Sequence, residues 1–199
     1  LYAANERLPP EKMATISNIV KNAFYELGDA EALELGLRKR LDVTLEEFLT
    51  VARKKAANVE AYTRIGAILG GGTEAEIDAL SRYGTALGML LVMQDEYIDM
   101  LDPEEFLHRL KYECLPLPML YAFQNSETRK EVKKIFRNGI TKQSAKKILK
   151  IFYKTREAKD FKRVVVGLAE ESNMQLSKVK FDPYLKLFIS GLVNQFKSM

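Results

Sequence analysis

An all-α fold is the class this sequence predicts, on three observations. Apolar residues recur at helical spacing almost end to end, helix-start signals punctuate the chain, and no segment alternates like a half-buried strand. Gly (11) and Pro (6) are few among the 199 residues and β-branched residues do not cluster, which also favours helix. The length suits one domain with a large core, and no repeat or low-complexity linker divides it. Residues 1–199 are therefore expected to form a single helical domain.

Pro9-Pro10 and Glu11 open the first helix, because proline is tolerated in the first turn and an acid there suits the dipole. Ile16, Ile19, Val20, Ala23, Phe24 and Leu27 carry it across Met13–Arg40, with Gly28 a candidate kink. Thr44 with Glu47 forms a capping box that starts a second helix, Leu45 to about Leu69, which Gly70-Gly71-Gly72 ends. Thr73 with Glu76 repeats the signal for a third helix running to about Leu101. Asp102-Pro103 begins a short one, which Leu115-Pro116-Leu117-Pro118 breaks. Further helices are expected at about 118–124, 127–137, 142–156, 158–171 and 183–197. Ser126 and Thr141 are the expected N-caps, and Asn138-Gly139 and Asp182-Pro183 the turns.

Composition narrows the chemistry. One cysteine, Cys114, rules out an intrachain disulfide and fits a reducing, cytoplasmic location. One histidine, His108, leaves little for a triad or a zinc site. Chemistry is pushed towards carboxylates, hence hard cations and phosphates. A net charge of +4 is too small to argue for nucleic acid. No run of about 18 apolar residues is present, so no transmembrane segment is expected. No signal peptide is visible, and a start at Leu1 rather than Met raises the expectation of residues upstream.

The third helix is apolar or small on all sides from Gly84 to Met93, as a buried helix would be. Directly after it come Asp95, Glu96 and Asp99. Residues 95 and 99 lie one above the other on a helix face, and 96 and 99 are also neighbours. Like charges so placed repel, and a divalent cation removes the penalty. Mg²⁺ typically takes one or two carboxylates plus substrate phosphates. The bland alternative is a solvated helix end whose acids happen to fall at that spacing.

The stretch from Arg53 to Phe123 resembles the C-terminal half of the trans-isoprenyl diphosphate synthases, the polyprenyl synthetase family. Ile65-Gly66-Ala67-Ile68-Leu69-Gly70-Gly71-Gly72 is similar to the segment before that family's second Asp-rich helix. Gly84-Thr85-Ala86-Leu87-Gly88 leading into Asp95-Glu96-Tyr97-Ile98-Asp99 resembles its G-x₆-DDxxD signature, and Leu117-Pro118-Met119-Leu120-Tyr121-Ala122 its L-P-L-L-Y-A run. Weaker similarity reaches back through Asp42–Glu47 and Glu31–Glu34, so that about 120 residues are covered. The resemblance implies a helical bundle of the isoprenoid synthase type. It implies a Mg²⁺-dependent prenyltransferase that condenses isopentenyl diphosphate with an allylic diphosphate. Asp95, Glu96 and Asp99 would be the metal ligands; Lys55 would be a diphosphate ligand or else a salt-bridge partner of the carboxylates, and Arg109 and Lys111 could replace the diphosphate-binding basic contact that a shortened loop has lost. Homodimerisation, or a heteromer with a related synthase, is a further family expectation.

Several positions depart from the family pattern. Glu96 stands for the second Asp, Leu91-Val92 for Phe-Gln, Lys55-Ala56 for Lys-Thr, and Glu113-Cys114 for Gly-Lys. Ala30-Glu31-Ala32-Leu33-Glu34 stands where the family has Gly-Gln-x-x-Asp, so Glu31 and Glu34 join the candidate site. The family's first Asp-rich motif, with its N-terminal helices, belongs upstream of Leu1. The alternative function is therefore a non-catalytic partner subunit or an isoprenoid-diphosphate-binding relative.

Other features read more plainly. From Ser126 to Arg163 there are 14 Lys/Arg and 4 Asp/Glu with interleaved aromatics. That is either a polyanion- or membrane-facing patch or a set of amphipathic helices with lysine-rich solvated faces, and apolar spacing at 132, 135, 136 and 148, 149, 152 favours the second. Cys114 reads as a small buried hydrophobe and His108 as a surface residue. Met89, Met93 and Met100 read as core filling before cavity lining.

Overall fold

The computed structural model describes residues 8–38, 40–180 and 183–195. These form ten α-helices and no strand. In chain order they are α1 Pro10–Leu37, α2 Leu45–Lys55, α3 Ala57–Leu69, α4 Glu74–Leu101, α5 Pro103–Tyr112, α6 Leu117–Ala122, α7 Ser126–Arg137, α8 Lys142–Phe152, α9 Glu157–Leu176 and α10 Pro183–Gln195.

Local signals account for most boundaries. Both expected capping boxes form: Thr44 N–H donates to Glu47 at 2.7 Å and Glu47 N–H to Thr44 Oγ1 at 3.1 Å, and Thr73 and Glu76 repeat the exchange. Thr141 caps α8, but Asn125, not Ser126, caps α7, its Oδ1 accepting from the amides of Glu127 and Thr128. Gly71, at φ 74°, closes α3, and Gly72 N–H returns to Ala67 O at 2.9 Å. Gly28 leaves α1 unbroken, and α1 stops at Leu37 rather than Arg40. α8 ends at Phe152, short of 156, whereas α9 extends to Leu176. Asp182 and the expected end of the last helix at 197 lie outside the described residues.

One expectation is corrected. The single helix from Leu45 to Leu69 is two, α2 and α3, joined at Ala56. Locally, the Asn58 side chain accepts the Val59 N–H at 2.7 Å and competes with the helical bond. Across the bundle, Gly88 of α4 presses on this same point: a Cβ there would stand 2.6 Å from Ala56 Cβ and 2.8 Å from its Cα. Gly84, one turn earlier, is as tight, with Thr63 Oγ1 at 2.1 Å and Glu60 Cα at 2.8 Å from such a Cβ. The two glycines let α4 lie directly on the α2–α3 junction and on α3.

α4 is the spine, packed between α3 and α9. Tyr83, Leu90, Met93 and Met100 are buried with Phe106, Leu117, Leu120 and Phe161 in the main core. Met89, Met93 and Met100 thus fill the core. In the basic stretch, Val132, Ile135, Ala145, Ile148, Phe152 and Phe161 are buried while most lysines are solvated, the amphipathic arrangement. No helix among the described residues is long and apolar enough to cross a membrane.

Candidate active site

Where α4 leaves the core, its C-terminal end meets the end of α1, the end of α2 and the α5–α6 connection. The four border a cavity of about 350 Å³. α1 contributes Glu31 and Glu34, and Arg38 follows at its C-cap; α2 contributes Lys55; α4 contributes Val92, Asp95, Glu96 and Asp99; Arg109, Glu113 and Cys114 come from α5 and the turn after it. Seven of the eight residues the sequence nominated are therefore gathered at one cavity. Lys111 is not: it is two positions from Arg109 on α5, about 200° around the helix, and cannot share its face. Arg38 was missed, although 31, 34 and 38 fall on one helix face, a spacing that could have found it. Cys114 is 1% exposed, and burial, with Glu96 nearby, pushes its thiol up to about 12, so it is no nucleophile at neutral pH.

Two of the three cations, Arg109 and Lys55, are already engaged. Arg109, 5% exposed, donates from Nη1 to Asp99 Oδ2 and from Nη2 to Glu96 Oε1, both at 2.7 Å. Its Nε is buried without a hydrogen-bond acceptor, the Glu113 carboxylate standing 3.7 Å away. Burial opposes its charge, but Glu96 and Asp99 outweigh burial and hold the guanidinium above its ordinary value. Lys55 bonds Glu34 at 2.5 Å and stands 3.7 Å from Glu31. Burial again works against its charge, yet the Glu34 bond and the fields of Glu34, Glu31 and Glu96 raise the ammonium overall.

The carboxylates divide into two kinds. Glu96 is 6% exposed, with Oε1 on Arg109 and Oε2 accepting the Leu117 N–H at 3.0 Å. Burial pushes its carboxyl up, against the pull of Arg109 and the Leu117 amide. It ties α4 to α5 and to the start of α6 and has no oxygen turned freely to the cavity. Glu96, expected as a metal ligand, lines the cavity with each of its oxygens already accepting one hydrogen bond, from Arg109 and from the Leu117 amide. Asp95, by contrast, is exposed and pairs with no described residue. Burial first and Asp99 second raise its carboxyl, with Lys55 opposing.

A divalent cation fits part of this set. Asp95 is free, Asp99 has Oδ1 left over from Arg109, and six carboxylates (Glu31, Glu34, Asp95, Glu96, Asp99, Glu113) face only three cations around the cavity. Asp95, Glu96 and Asp99 do not themselves bring three ligand oxygens together. The group among the described residues that does is Glu105, His108 and Glu113, with ligand atoms within 4.8 Å of one another, on α5 and the turn after it. His108 is exposed there, 3.5 Å from Glu113. A larger cavity, about 830 Å³, lies between α1, α2, α3 and α4, but its charges are nearly balanced, three carboxylates (Glu26, Glu46, Glu60) facing two cations (Arg53, Lys54). Lys54 takes Glu26 at 2.6 Å and Asp29 at 3.4 Å, and Ser81 takes Glu60 at 2.6 Å. The smaller, unbalanced cavity is the candidate site.

Solved structures share this all-α fold. The chain aligns with the geranylgeranyl pyrophosphate synthetase of Pyrococcus horikoshii at a TM-score of 0.81 and 22% identity, covering 96% of this chain and 62% of that one. With a decaprenyl diphosphate synthase from Rhodobacter capsulatus the TM-score is 0.79 at 22% identity, covering 92% and 60%. The polyprenyl synthetase family profile matches residues 2–152, and the chain belongs to that family. In sequence it is 40% identical over 90 residues to a short chain isoprenyl diphosphate synthase of Methanothermobacter thermautotrophicus, 45% of this chain and 28% of the relative. A geranylgeranyl diphosphate synthase of Methanosarcina mazei matches at 30% over 103 residues, 51% of this chain and 32% of the relative. The sequence matches thus span about a third or less of these relatives' length.

Proposed function

We propose that the cavity at the end of α4 binds the magnesium-complexed diphosphate of an isoprenoid, and that the chain works in prenyl transfer, condensing isopentenyl diphosphate with an allylic diphosphate. The observation that carries this is the charge imbalance. Six carboxylates against three cations would repel a bare diphosphate, yet Asp95 and the free oxygen of Asp99 suit a divalent cation, which would admit one. Bound there, Mg²⁺ would neutralise the charge that develops on diphosphate as the allylic C–O bond ionises. Lys55 and Arg109 would hold the phosphate oxygens, Lys55 as a point charge and Arg109 as a planar fork. Lys111, off the cavity, has at most a long-range role. A related geranylgeranyl pyrophosphate synthase from Corynebacterium glutamicum was solved with calcium and isoprenyl diphosphate, at a TM-score of 0.79 and 19% identity, which supports a divalent-cation and diphosphate reading of this fold.

The test is thermal. Mg²⁺ with methylenebisphosphonate should raise the melting temperature by about 5–10 °C when ligand is near 100 times Kd. Asp95→Asn with Asp99→Asn should remove the shift. No shift in the wild-type protein would sink the binding claim.

A non-catalytic partner subunit is the second reading, favoured by Glu96, which is committed to Arg109 and Leu117. Turnover of isopentenyl and geranyl diphosphates by the purified chain alone would eliminate it. A further proposal concerns assembly. Phe24 and Tyr25 on α1 are 72% and 64% exposed and Tyr62 on α3 is 69% exposed, apolar surface that a second subunit would cover.

A further inference from the structure

Arg109 already occupies one of the places a metal would need. Its Nη1 sits on Asp99 Oδ2 at 2.7 Å, while Asp99 shares a helix face with the free carboxylate of Asp95. The same guanidinium is held from the other side by Glu96, whose second oxygen is locked to the Leu117 amide. A third donor, Nε, is buried with no acceptor, in a side chain 5% exposed that lines the cavity. The satisfied bond to Glu96 lies within the protein; the other two groups, Nη1 and Nε, are what an anionic ligand could claim. A divalent cation and a guanidinium on one carboxylate repel one another. An acceptor that drew Arg109 towards itself would relieve that repulsion and satisfy the orphaned Nε in the same movement.

We propose that Arg109 is a resident counter-cation that yields Asp99 to a divalent metal when a phosphate-bearing ligand takes its fork, so that metal and diphosphate load cooperatively. The inference rests on reading this cavity as a metal–diphosphate site and adds its order of assembly. Glu96 is the pivot, a positioning residue that holds Nη2 while the rest of the guanidinium moves. Linkage then requires that the factor by which diphosphate tightens the metal equals the factor by which the metal tightens diphosphate.

The experiment separates the two ligands. Mn²⁺ alone and, in a chelator, inorganic diphosphate alone are titrated calorimetrically into wild type and into the paired variant Glu96→Gln with Arg109→Gln. That pair removes one charge of each sign, so the cavity's net charge is unchanged while the clamp on Asp99 and the fork for phosphate are lost together. The variant should bind Mn²⁺ about tenfold more tightly and diphosphate about tenfold more weakly than wild type. Unchanged or weaker Mn²⁺ binding would overturn the exchange. Should the pair fail to melt cooperatively, Arg109→Lys carries the same comparison, because an ammonium can serve Glu96 but cannot fork to Asp99 as well. Asp95→Asn in each background is the control. If it leaves Mn²⁺ binding untouched, the cavity is not the metal site and the underlying functional reading fails, which is a different result from the loss of the exchange.

Discussion

Asp95 and Asp99 share a face of α4 one turn apart, and their repulsion has a consequence for stability. Burial and Asp99 together raise the Asp95 carboxyl above the ordinary aspartate value. A raised folded-state value means that the folded chain holds this proton more tightly than the unfolded chain. The associated stability is present below the ordinary aspartate value and is lost as pH rises through the raised one. At pH 7 without metal, the charged Asp95 therefore works against the fold. Asp95→Asn in EDTA should melt higher than wild type at pH 7, and the gain should vanish as pH falls below 4. Adding Mg²⁺ should then raise wild type and leave the variant unmoved. A lower melting temperature for Asp95→Asn at pH 7 would make Asp95 a structural residue. The sequence identified this carboxylate from spacing alone, because i and i+4 share a helix face whatever surrounds them. It did not separate Glu96 from its neighbours, since only the folded chain brings Arg109 and the Leu117 amide, 13 and 21 residues away, to its two oxygens.

At the level of the helices, one substitution should have opposite signs at two positions. Gly88→Ala would drive a Cβ to 2.6 Å from Ala56 Cβ and 2.8 Å from its Cα, and backbone cannot give way. Such overpacking costs about 1–3 kcal/mol. Because Ala56 follows Lys55, diphosphate affinity should fall along with stability. Gly28→Ala, in the exposed interior of α1 with nothing within 4 Å, should instead stabilise by about 0.5–1 kcal/mol. Urea unfolding of both variants measures the contrast; equal effects would mean that α4 does not rest on the α2–α3 junction. The capping boxes at Thr44 and Thr73 were legible because each is complete within four residues. The break at Ala56 was not, because much of its cause is a glycine 32 positions later on another helix.

Over the whole molecule, the apolar residues divide unevenly. The core around α4, α6 and α9 is closed, whereas Phe24, Tyr25 and Tyr62 stand open on α1 and α3, as do Tyr184, Leu187 and Phe188 on α10. Adjacent aromatics in water favour association, each contributing through the area it loses to a partner. The chain should therefore sediment as more than a monomer at micromolar concentration, and Phe24→Ser with Tyr25→Ser should shift it to smaller species without loss of helix. A wild-type chain that sediments as a monomer throughout would count against the assembly.

By itself the sequence determined the all-α class, the order of the helices and the carboxylate pair on α4. These follow from periodicities and caps that act over one or two turns, and the family resemblance rested on the same contiguous motifs. The tertiary structure alone decided that Arg109 and Lys55 are already paired with carboxylates, that Lys111 is off the cavity and that both oxygens of Glu96 accept hydrogen bonds from Arg109 and the Leu117 amide. Those outcomes depend on which side chains meet across four helices, and burial, which sets the strength of every charge among them, is a property of the packed molecule.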